Sequence, residues 1–439
     1  MRWFGLDVGR SAAEVAVVER GRGTCSLGRI VVSSESLRAF AATLGPDDAV
    51  CLEATTNTWP IAELLGQHAG RVVVSNPLRT RAIADAKTKT DTIDAATLAE
   101  LLAADYLPEV WQPDPATQAL RRRIAARAAL VGLRTRLRNR ISAILARNLV
   151  ANPWTDPFGR SGRRWLATVA LPADEHEAVE TSLRLLDALE AEIVVAEQGL
   201  ARLVAADPRV RRLMTIPGVG VMTAIGLVAC IGDVGRFPRP NKLVSYLGLD
   251  PRVRQSGGRP AWIGHISQAG QGYVRGLPVE AAHAAVRTPG PLHAFHARVA
   301  ARRGPGIAAV AVARKLTVLA WHLLHDEADY RWPSAARHAR KVRDLERAAG
   351  LPSRRGRSGR RAGARPDPAI ERQTLTEAES AYVAFVEERA RDAVAANGVR
   401  LNGQRPAARR SSTPRSTLRL GVDRVPADDT PRDLASKGA

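Results

Sequence analysis

Four carboxylates stand at positions where an acidic side chain calls for a chemical partner. Asp7 ends an otherwise apolar first strand, and Glu53 ends the apolar run Ala49–Glu53. An acid in such a strand is expected to pair or to bind a metal. Asp91 and Asp94 are three residues apart, which places both on one face of a helix. Converging at strand ends and a helix start, these acids would hold two Mg²⁺ ions, which polarise a scissile phosphate and stabilise both of its oxygens.

Each acid also has a simpler interpretation. Asp7 followed by Gly9 resembles the phosphate turn of sugar kinases and actin-like ATPases. Asp91 and Asp94 could cap a helix and complement its dipole. The actin-like interpretation needs a second turn of the Asp-x-Gly type and an adenosine-binding glycine pair, and the sequence contains no convincing match. The four acids in this order favour the metal site.

The elements that must position these acids follow the order β-β-β-α-β-α-β-α, which is that of a ribonuclease-H-like fold. We therefore expect an α/β domain over residues 1–110, with a mixed sheet and helices on both of its faces. The predicted elements are strands Trp3–Val8, Glu14–Val18, Ser26–Val32, Ala49–Ala54 and Val72–Ser75, and helices Leu37–Leu44, Trp59–His68 and Thr92–Ala104.

Residues 111–206 are predicted to form a helical coiled-coil region. Leu130 to Ile144 and Leu186 to Leu203 carry apolar residues at heptad-like steps. The first helix, which starts at Asp114-Pro115, carries nine arginines and one aspartate between residues 111 and 150. A solvated helix face explains some of these arginines, but so one-sided a charge favours contact with a phosphate backbone. The arginines predicted to bind nucleic acid are Arg121, Arg122, Arg123 and Arg127.

Residues 207–330 are predicted to form a mainly helical domain with two glycine-rich segments. In the first, Gly218 and Gly220 form a Pro-Gly-x-Gly turn like that of a helix-hairpin-helix, whose amides can approach a phosphate. A plain tight turn between helices explains this segment almost as well. In the second, Ser267 could cap a helix, or it could attack phosphorus if a metal or an arginine activated it. Arg275 follows as a further candidate contact to nucleic acid.

The charge balance indicates a polyanionic partner. The 439 residues include 65 Lys and Arg against 44 Asp and Glu, which gives a formal net charge of +21. Fifty-nine of the basic residues are arginine, which forks onto phosphate bidentately. A GC-rich genome could explain arginine in place of lysine but not the excess of base over acid. An acidic or neutral metabolic enzyme is disfavoured, and nucleic acid is the expected partner.

Three widely spaced cysteines form no Cys-x-x-Cys pair, so we expect neither a zinc ribbon nor a disulfide framework. We also expect no signal peptide and no membrane span, because no uninterrupted apolar stretch approaches about 20 residues. These features predict a cytoplasmic protein. Residues 331–439 are expected to be a basic, mostly disordered tail that includes the run Arg354–Arg361, with a possible isolated helix at Leu375–Ala396.

In combination, the motifs resemble a known family of mobile-element proteins over roughly residues 2–325. The order of the four acids, then IPGVG, YLGL, SGG and GHIS, is similar to that of the DEDD-type transposases of the insertion-sequence one-ten family. The resemblance implies a RuvC-like N-terminal domain, a coiled-coil region and a C-terminal transposase domain. It implies that the acids bind Mg²⁺ and that a serine, here Ser267, links covalently to DNA in a site shared between protomers.

The resemblance also implies partners. They are donor and target DNA, a guide (bridge) RNA that pairs with both, and further copies of the chain in a dimer or tetramer. A bacterial, nucleoid-associated location follows from these partners. Two other functions stay open from the residues: a RuvC-like Holliday-junction resolvase or nuclease that uses metal-activated water, and a nucleic-acid-binding protein with a decayed site. The pairs His293/His296 and His322/His325 have metal-ligand spacing, but surface or core roles fit them better.

Overall fold

The computed structural model describes residues 1–83, 90–258, 260–268, 270, 272–352 and 367–400, with side chains to residue 391. The chain divides into two compact units, Met1–Asp114 and Pro115–Ala439. The basic run Arg354–Arg361 and residues 401–439 lie outside the described residues.

The first unit is a five-stranded mixed sheet with helices, so the predicted fold class is confirmed. In the sheet order β3-β2-β1-β4-β5, the first three strands are antiparallel and β1, β4 and β5 are parallel. This is the topology of the ribonuclease-H-like fold. The elements are β1 (Arg2–Val8), β2 (Ala12–Glu19), β3 (Gly23–Val31), α1 (Ser34–Ala41), β4 (Ala49–Glu53), α2 (Thr58–Leu65), β5 (Arg71–Ser75), α3 (Pro77–Ile83) and α4 (Asp91–Ala103).

Alternate residues of β1 face opposite sides of this sheet, as the pleat requires. Phe4, Leu6 and Val8 pack in a cluster with residues of α1 and α2. On the opposite face, a second cluster joins strand residues to Leu98 and Leu102 of α4. The predicted placement of helices on both faces is therefore confirmed, and β1 presents its odd-numbered residues to α4.

Gly5 makes the close contact between β1 and α4 possible. A Cβ atom at this position would lie 2.1 Å from the carbonyl oxygen of Ala95 and 2.5 Å from the backbone nitrogen of Ala99. Two non-bonded heavy atoms cannot approach so closely, and so any larger residue would push the helix off the sheet. The glycine thus fixes where α4 crosses the strand that ends in Asp7.

The second unit is mainly helical, as predicted, and includes a two-stranded hairpin that the sequence did not suggest. Its elements are α5 (Pro115–Arg147), α6 (Arg160–Leu166), α7 (Ala173–Val204), α8 (Pro208–Leu213), α9 (Val221–Ile231), α10 (Pro240–Tyr246), β6 (Pro251–Arg254), β7 (Trp262–Ile266), α11 (Gly272–Ala285), α12 (Pro291–Arg303), α13 (Pro305–His325), α14 (Ala335–Ala348) and α15 (Pro368–Arg400).

The long helices α5 and α7 pack against each other, and their apolar seams are partly as predicted. Ile141 and Ile144 of α5 are fully buried, as is Leu186 of α7. Leu133 and Leu203, predicted in the same seams, are 40% and 56% exposed. Residues of both helices share one core with residues 210–382, so the packing continues across the domain boundary predicted at residue 206.

Helix α13 lies at the centre of the second unit. Among the described residues, α13 is the single helix that is long and apolar enough to cross a membrane. Of its most apolar 18-residue stretch, 61% is buried inside the protein. It packs against α10, α11 and α12, with Val312, Ala313 and Leu316 in the main core. Its apolar composition is accounted for by this packing.

The tail predicted from residue 331 contains two packed helices: α14, which was not predicted, and α15, which overlaps the predicted helix. Leu345 of α14 is fully buried and Tyr382 of α15 is 6% exposed, both in the main core. Glu379 accepts a hydrogen bond from the Gly290 amide and lies 2.7 Å from the His293 ring, which fastens α15 to the start of α12. The helix predicted at Leu375–Ala396 exists, but it is longer and is not isolated. The apolar periodicity of the sequence did not predict this packing on the core, because both helices bury few apolar residues.

Candidate active site

The acids predicted on β1 and β4 occupy neighbouring positions at one edge of the sheet. Leu6 pairs with Leu52 in the parallel ladder, so Asp7 and Glu53 are the next residues of adjacent strands at their carboxyl ends. Both are half-buried, and the pleat directs them to the face covered by α4. Glu14 of β2 is the cross-strand partner of Asp7 and adds a carboxylate that sequence reasoning missed.

Helix α4 begins at this same edge. Its N-cap is Thr90, whose hydroxyl accepts a hydrogen bond from the Ile93 amide, so neither Asp91 nor Asp94 is the capping residue. Asp91 stands in the first turn, 70% exposed, and its carboxylate lies 3.9 Å from the guanidinium of Arg29. Arg29 also binds Glu14 at 2.8 Å. We call Asp7, Glu53, Asp91 and Asp94 the acid edge. Asp7 and Glu53 lie at adjacent strand ends on the face that α4 covers, and Asp91 and Asp94 lie in the first turn of that helix.

The donor chemistry of the acid edge fits a hard divalent cation. Its ligands would all be carboxylate oxygens, which Mg²⁺, Mn²⁺ and Ca²⁺ prefer. Cys51 is buried beside it in β4, and this burial raises the pKa of its thiol to about 12, so the residue stays protonated and is a poor ligand. Within the described ranges, no three His, Cys, Asp or Glu side chains are gathered as closely as a bound metal requires. The edge thus carries carboxylates of the right chemistry, and an ion that bound there would have to draw them together.

Ser267 is held at the base of a small hairpin. We call residues 248–268, which include β6 and β7, the serine hairpin. The Ser267 hydroxyl donates to Oδ1 of Asp250 at 2.7 Å, and its amide donates to the Asp250 carbonyl oxygen, also at 2.7 Å. The Ser267 carbonyl oxygen accepts from Nη2 of Arg252 at 3.1 Å. All polar atoms of this serine are therefore bonded to the chain just before and within β6, and it does not act through its hydroxyl as a helix cap.

The backbone after Ser267 turns sharply. Gln268 has φ +56° and Gly270 has φ +73°, both in the left-handed region. A Cβ atom at Gly270 would lie 2.7 Å from the Tyr246 carbonyl oxygen, so this turn requires glycine. Ser267 is half-buried, and Gln268 and Gly270, which follow it, are exposed.

The Pro-Gly-x-Gly turn has a packing role at its first glycine. Gly218 has φ +79°, and a Cβ atom there would lie 2.1 Å from the Ala281 carbonyl oxygen and 2.6 Å from the Ala285 nitrogen. Gly218 therefore seats the turn directly on α11. Gly220 is the N-cap of α9, and a Cβ there would meet no atom within 4 Å. The open approach that a phosphate would need exists at Gly220 rather than at Gly218.

The predicted nucleic-acid arginines divide into two groups. Arg121 donates to the carbonyl oxygens of Ala229 and Cys230, each at 2.8 Å, and so caps the end of α9. Arg127 binds Glu197 of α7 and donates to the Tyr273 hydroxyl at 3.0 Å. These two side chains are committed within the protein.

Two of the other predicted arginines are more exposed than Arg121 and Arg127. Arg122 and Arg123 are exposed on α5, and Arg275 is half-buried on α11. Charge counting could not separate the two groups, because it does not specify the direction of a side chain.

One histidine of each pair contacts another side chain of the protein. His293 binds Glu379, and His325 stacks on the Trp321 ring at 4.4 Å. The residue that sequence reasoning missed at the serine hairpin is Asp250, which lies 17 positions before Ser267. Its signal in the sequence is an acid directly before Pro251, the first residue of a strand.

Comparison with known proteins gives two family matches and several relatives. Residues 4–148 match a DEDD family described as transposase, and residues 210–297 match the family described as transposase IS116/IS110/IS902. The DEDD match implies a divalent metal in that domain.

Among the relatives, the chain is 28% identical over 350 residues to a "Probable family 20 transposase" of Pseudomonas aeruginosa, covering 75% of this chain and 98% of that protein. It is 29% identical over 286 residues to "Putative transposase y4qE" of Sinorhizobium fredii, covering 64% and 70%. It is also 30% identical over 215 residues to the "Pilin gene-inverting protein" of Moraxella bovis, covering 47% and 57%.

Proposed function

Because this chain belongs to the IS110 family of transposases, DNA phosphoryl-transfer enzymes, we propose that it cuts and rejoins DNA with Ser267 as the nucleophile. The acid edge would hold Mg²⁺ for this reaction. The observation that supports the proposal is that Asp7 and Glu53 lie at adjacent strand ends on the face covered by α4, whose first turn carries Asp91 and Asp94. Mg²⁺, when bound, would polarise the phosphate and stabilise its developing charge.

The proposal assigns a different task to each part of the protein. The carboxylates of the acid edge are the metal ligands, and the serine hairpin presents the Ser267 hydroxyl. An exchange of phosphate onto a serine oxygen keeps the energy of the phosphodiester, so a free DNA hydroxyl can later rejoin. The name of the Moraxella relative, which describes gene inversion, supports this, since inversion also needs cutting followed by rejoining.

We further propose that a guide RNA selects the DNA sites and that a dimer or tetramer of the chain acts on donor and target DNA. The net charge of +21 supports the binding of several polyanions. Arg122, Arg123 and Gly220 are proposed backbone contacts that the described packing leaves accessible, and Arg275 is proposed as a further contact. The protein would then act on the bacterial nucleoid in the cytoplasm.

The deciding experiment traps the covalent intermediate. The full chain is incubated with Mg²⁺, the RNA transcribed from the same element, and a nicked duplex that spans the junction of the element with its flank. After denaturation, a protein–DNA adduct is expected from the wild type and not from Ser267→Ala. Ser256→Ala is the matched control, because Ser256 is an exposed serine in the loop of the same hairpin.

Two outcomes would overturn the serine mechanism. An adduct that persists in Ser267→Ala would place the nucleophile elsewhere. Efficient strand cleavage by Ser267→Ala, with water incorporated at the new phosphate, would instead support a RuvC-like nuclease or junction resolvase. The acid edge alone could catalyse that hydrolysis, because a metal-bound water needs no side-chain nucleophile.

A further inference from the structure

We infer that Asp250 is a catalytic residue that takes the proton from Ser267 when the serine oxygen attacks phosphorus. This inference rests on the proposed role of Ser267 as nucleophile. No motif of the sequence pointed to it, and it comes from the contact between Oδ1 of Asp250 and Oγ of Ser267 at 2.7 Å.

The geometry is that of a nucleophile with its base. A serine hydroxyl is a weak nucleophile until a neighbouring group accepts its proton, and an acceptor must lie within about 2.6–3.2 Å of the oxygen. The Asp250 carboxylate meets this condition. The backbone bond from the Ser267 amide to the Asp250 carbonyl oxygen fixes the two residues in register whatever the Asp250 side chain does.

The shape of the hairpin supports a functional contact. Between the paired positions Pro251–Ile266 and Val253–Ile263, β7 has one residue more than β6. Such bulges re-aim side chains and are common next to active sites. Arg252 lies within the irregular stretch and donates a hydrogen bond to the Ser267 carbonyl oxygen. Asp250 accepts hydrogen bonds from the hydroxyl and the amide of Ser267, so the serine is fixed by both residues.

In the proposed step, the Oγ–P bond forms, the bond from phosphorus to the leaving sugar oxygen breaks, and the Ser267 proton passes to the Asp250 carboxylate. The leaving oxygen takes a proton from water. In rejoining, the free sugar hydroxyl attacks the phosphoserine and releases its proton to water, while Asp250 returns its proton to the serine oxygen.

Other groups on the hairpin and on the helices before and after it are weaker candidates for the base. Arg252 carries no free acceptor, because guanidinium stays protonated. His265 is exposed on β7, two residues before Ser267, and could accept a proton by chemistry alone. Lys242 of α10 is exposed, and Tyr273 of α11 is bonded to Arg127. His265 is therefore the alternative that an experiment must separate from Asp250.

The test compares Asp250→Asn with wild type in the full complex with Mg²⁺, RNA and the nicked duplex, measured as single-turnover adduct formation between pH 6.5 and 9 by about half-unit steps. Asparagine keeps an oxygen that can accept the hydrogen bond but is no base. We expect adduct formation to fall by about 100-fold or more near neutral pH, and the defect to shrink as hydroxide replaces the missing base. Asp233→Asn, the same change at an exposed turn, is the control and should match wild type.

Each outcome decides a separate point. An Asp250→Asn protein that equals wild type at every pH, or is impaired by one constant factor, overturns the proton-acceptor role while leaving Ser267 as nucleophile. If His265→Gln rather than Asp250→Asn gives the pH-dependent loss, the base is His265. An adduct from Ser267→Ala would instead defeat the proposed function itself. The urea unfolding midpoint of Asp250→Asn distinguishes a misfolded variant, and Asp250→Glu, which restores a carboxylate, should then recover more adduct than Asp250→Asn.

Discussion

In each unit of this protein, a glycine packs directly against the backbone of a helix near the candidate catalytic residues. We call these two contacts, at Gly5 and at Gly218, the glycine seats. In the first, Gly5 lies against α4 between Ala95 and Ala99, and in the second, Gly218 lies against α11 between Ala281 and Ala285. In both, the missing side chain lets one backbone touch the other between alanines four residues apart.

The two seats differ in what they position. Helix α4 carries Asp91 and Asp94 in its own first turn, so the contact at Gly5 places these acids directly. Helix α11 begins after the turn that follows Ser267, so its seat leaves the serine to be fixed separately by Asp250 and Arg252. The acids are placed by the fold but not gathered, whereas the serine is already bonded in place. The comparison suggests that an ion completes the first group and that hydrogen bonds complete the second.

The largest expected effect tests whether the acid edge binds the metal. Asp7→Ala or Asp94→Ala should lower strand exchange by at least about 1,000-fold, because losing a metal ligand removes several kcal/mol of transition-state stabilisation. DNA and RNA binding should persist, since removing an acid reduces repulsion of phosphate. Recombination assays and gel-shift titrations measure the two effects. Asp47→Ala, at an exposed acid of the same unit, is the control, and near-normal exchange by either mutant would exclude the metal role.

The next effect tests whether the two glycine seats are equivalent. Gly5→Ala should reduce the free energy of unfolding by about 1–3 kcal/mol, because its Cβ overlaps the α4 backbone. Gly218→Ala should cost about 1–2 kcal/mol more, since an alanine is also strained at φ +79°. Urea unfolding provides both values. Gly132→Ala, in the open middle of α5, should instead stabilise by up to about 1 kcal/mol, and similar losses at all three glycines would contradict the seat model.

The sequence predicted the strand-end positions of Asp7 and Glu53 because the signals for them are local. A buried apolar run that ends in an acid identifies Asp7 and Glu53 wherever the rest of the chain lies, and parallel strands then bring their ends together. The serine hairpin was missed because β6 and β7 are short and mostly exposed, without alternating apolar residues. The contact of Asp250 with Ser267 joins residues on opposite sides of that hairpin, so no local pattern carries it. The destinations of Arg121 and Arg127 likewise depend on where α9, α7 and α11 pack.

A smaller effect should separate the two groups of arginines on α5. Replacing Arg122 and Arg123 by Gln should reduce the log–log salt slope of duplex binding by up to about 1.8, since each lost phosphate contact removes about 0.9. Arg121→Gln should leave this slope unchanged and lower the unfolding midpoint, because it removes the cap of α9. Fluorescence anisotropy across a salt series gives the slopes. A slope that changes with Arg121 but not with the exposed pair would reverse the assignment.

The smallest effect concerns Lys341, which hydrogen-bonds the backbone just before Gly218. Lys341 donates to the carbonyl oxygens of Met214 and Ile216 at 2.9 and 3.0 Å, and burial together with Arg337 lowers its pKa to about 8. In the unfolded chain the lysine keeps its proton up to about pH 10.4, so between these values the unfolded state binds more protons and stability rises with pH. The gain should be on the order of 1 kcal/mol after allowance for solvent screening.

Urea midpoints of wild type and Lys341→Met, measured from pH 7 to about pH 10, test this prediction. The rise should be present in wild type and absent from Lys341→Met. Lys242→Met, at an exposed lysine, should keep the rise. An equal pH dependence in wild type and Lys341→Met would mean that the pKa of Lys341 is not lowered by folding.

The tight glycine seats also bear on how insertion sequences decay in genomes. A single nucleotide change in the codon of Gly5 or Gly218 can place a side chain where the neighbouring helix leaves no room. Such a copy would still carry every acid of the DEDD motif and its serine, and a survey based on those residues would count it as competent. Requiring glycine at these two positions, in addition to the catalytic motif, is therefore a stricter criterion for an active insertion sequence than the motif alone.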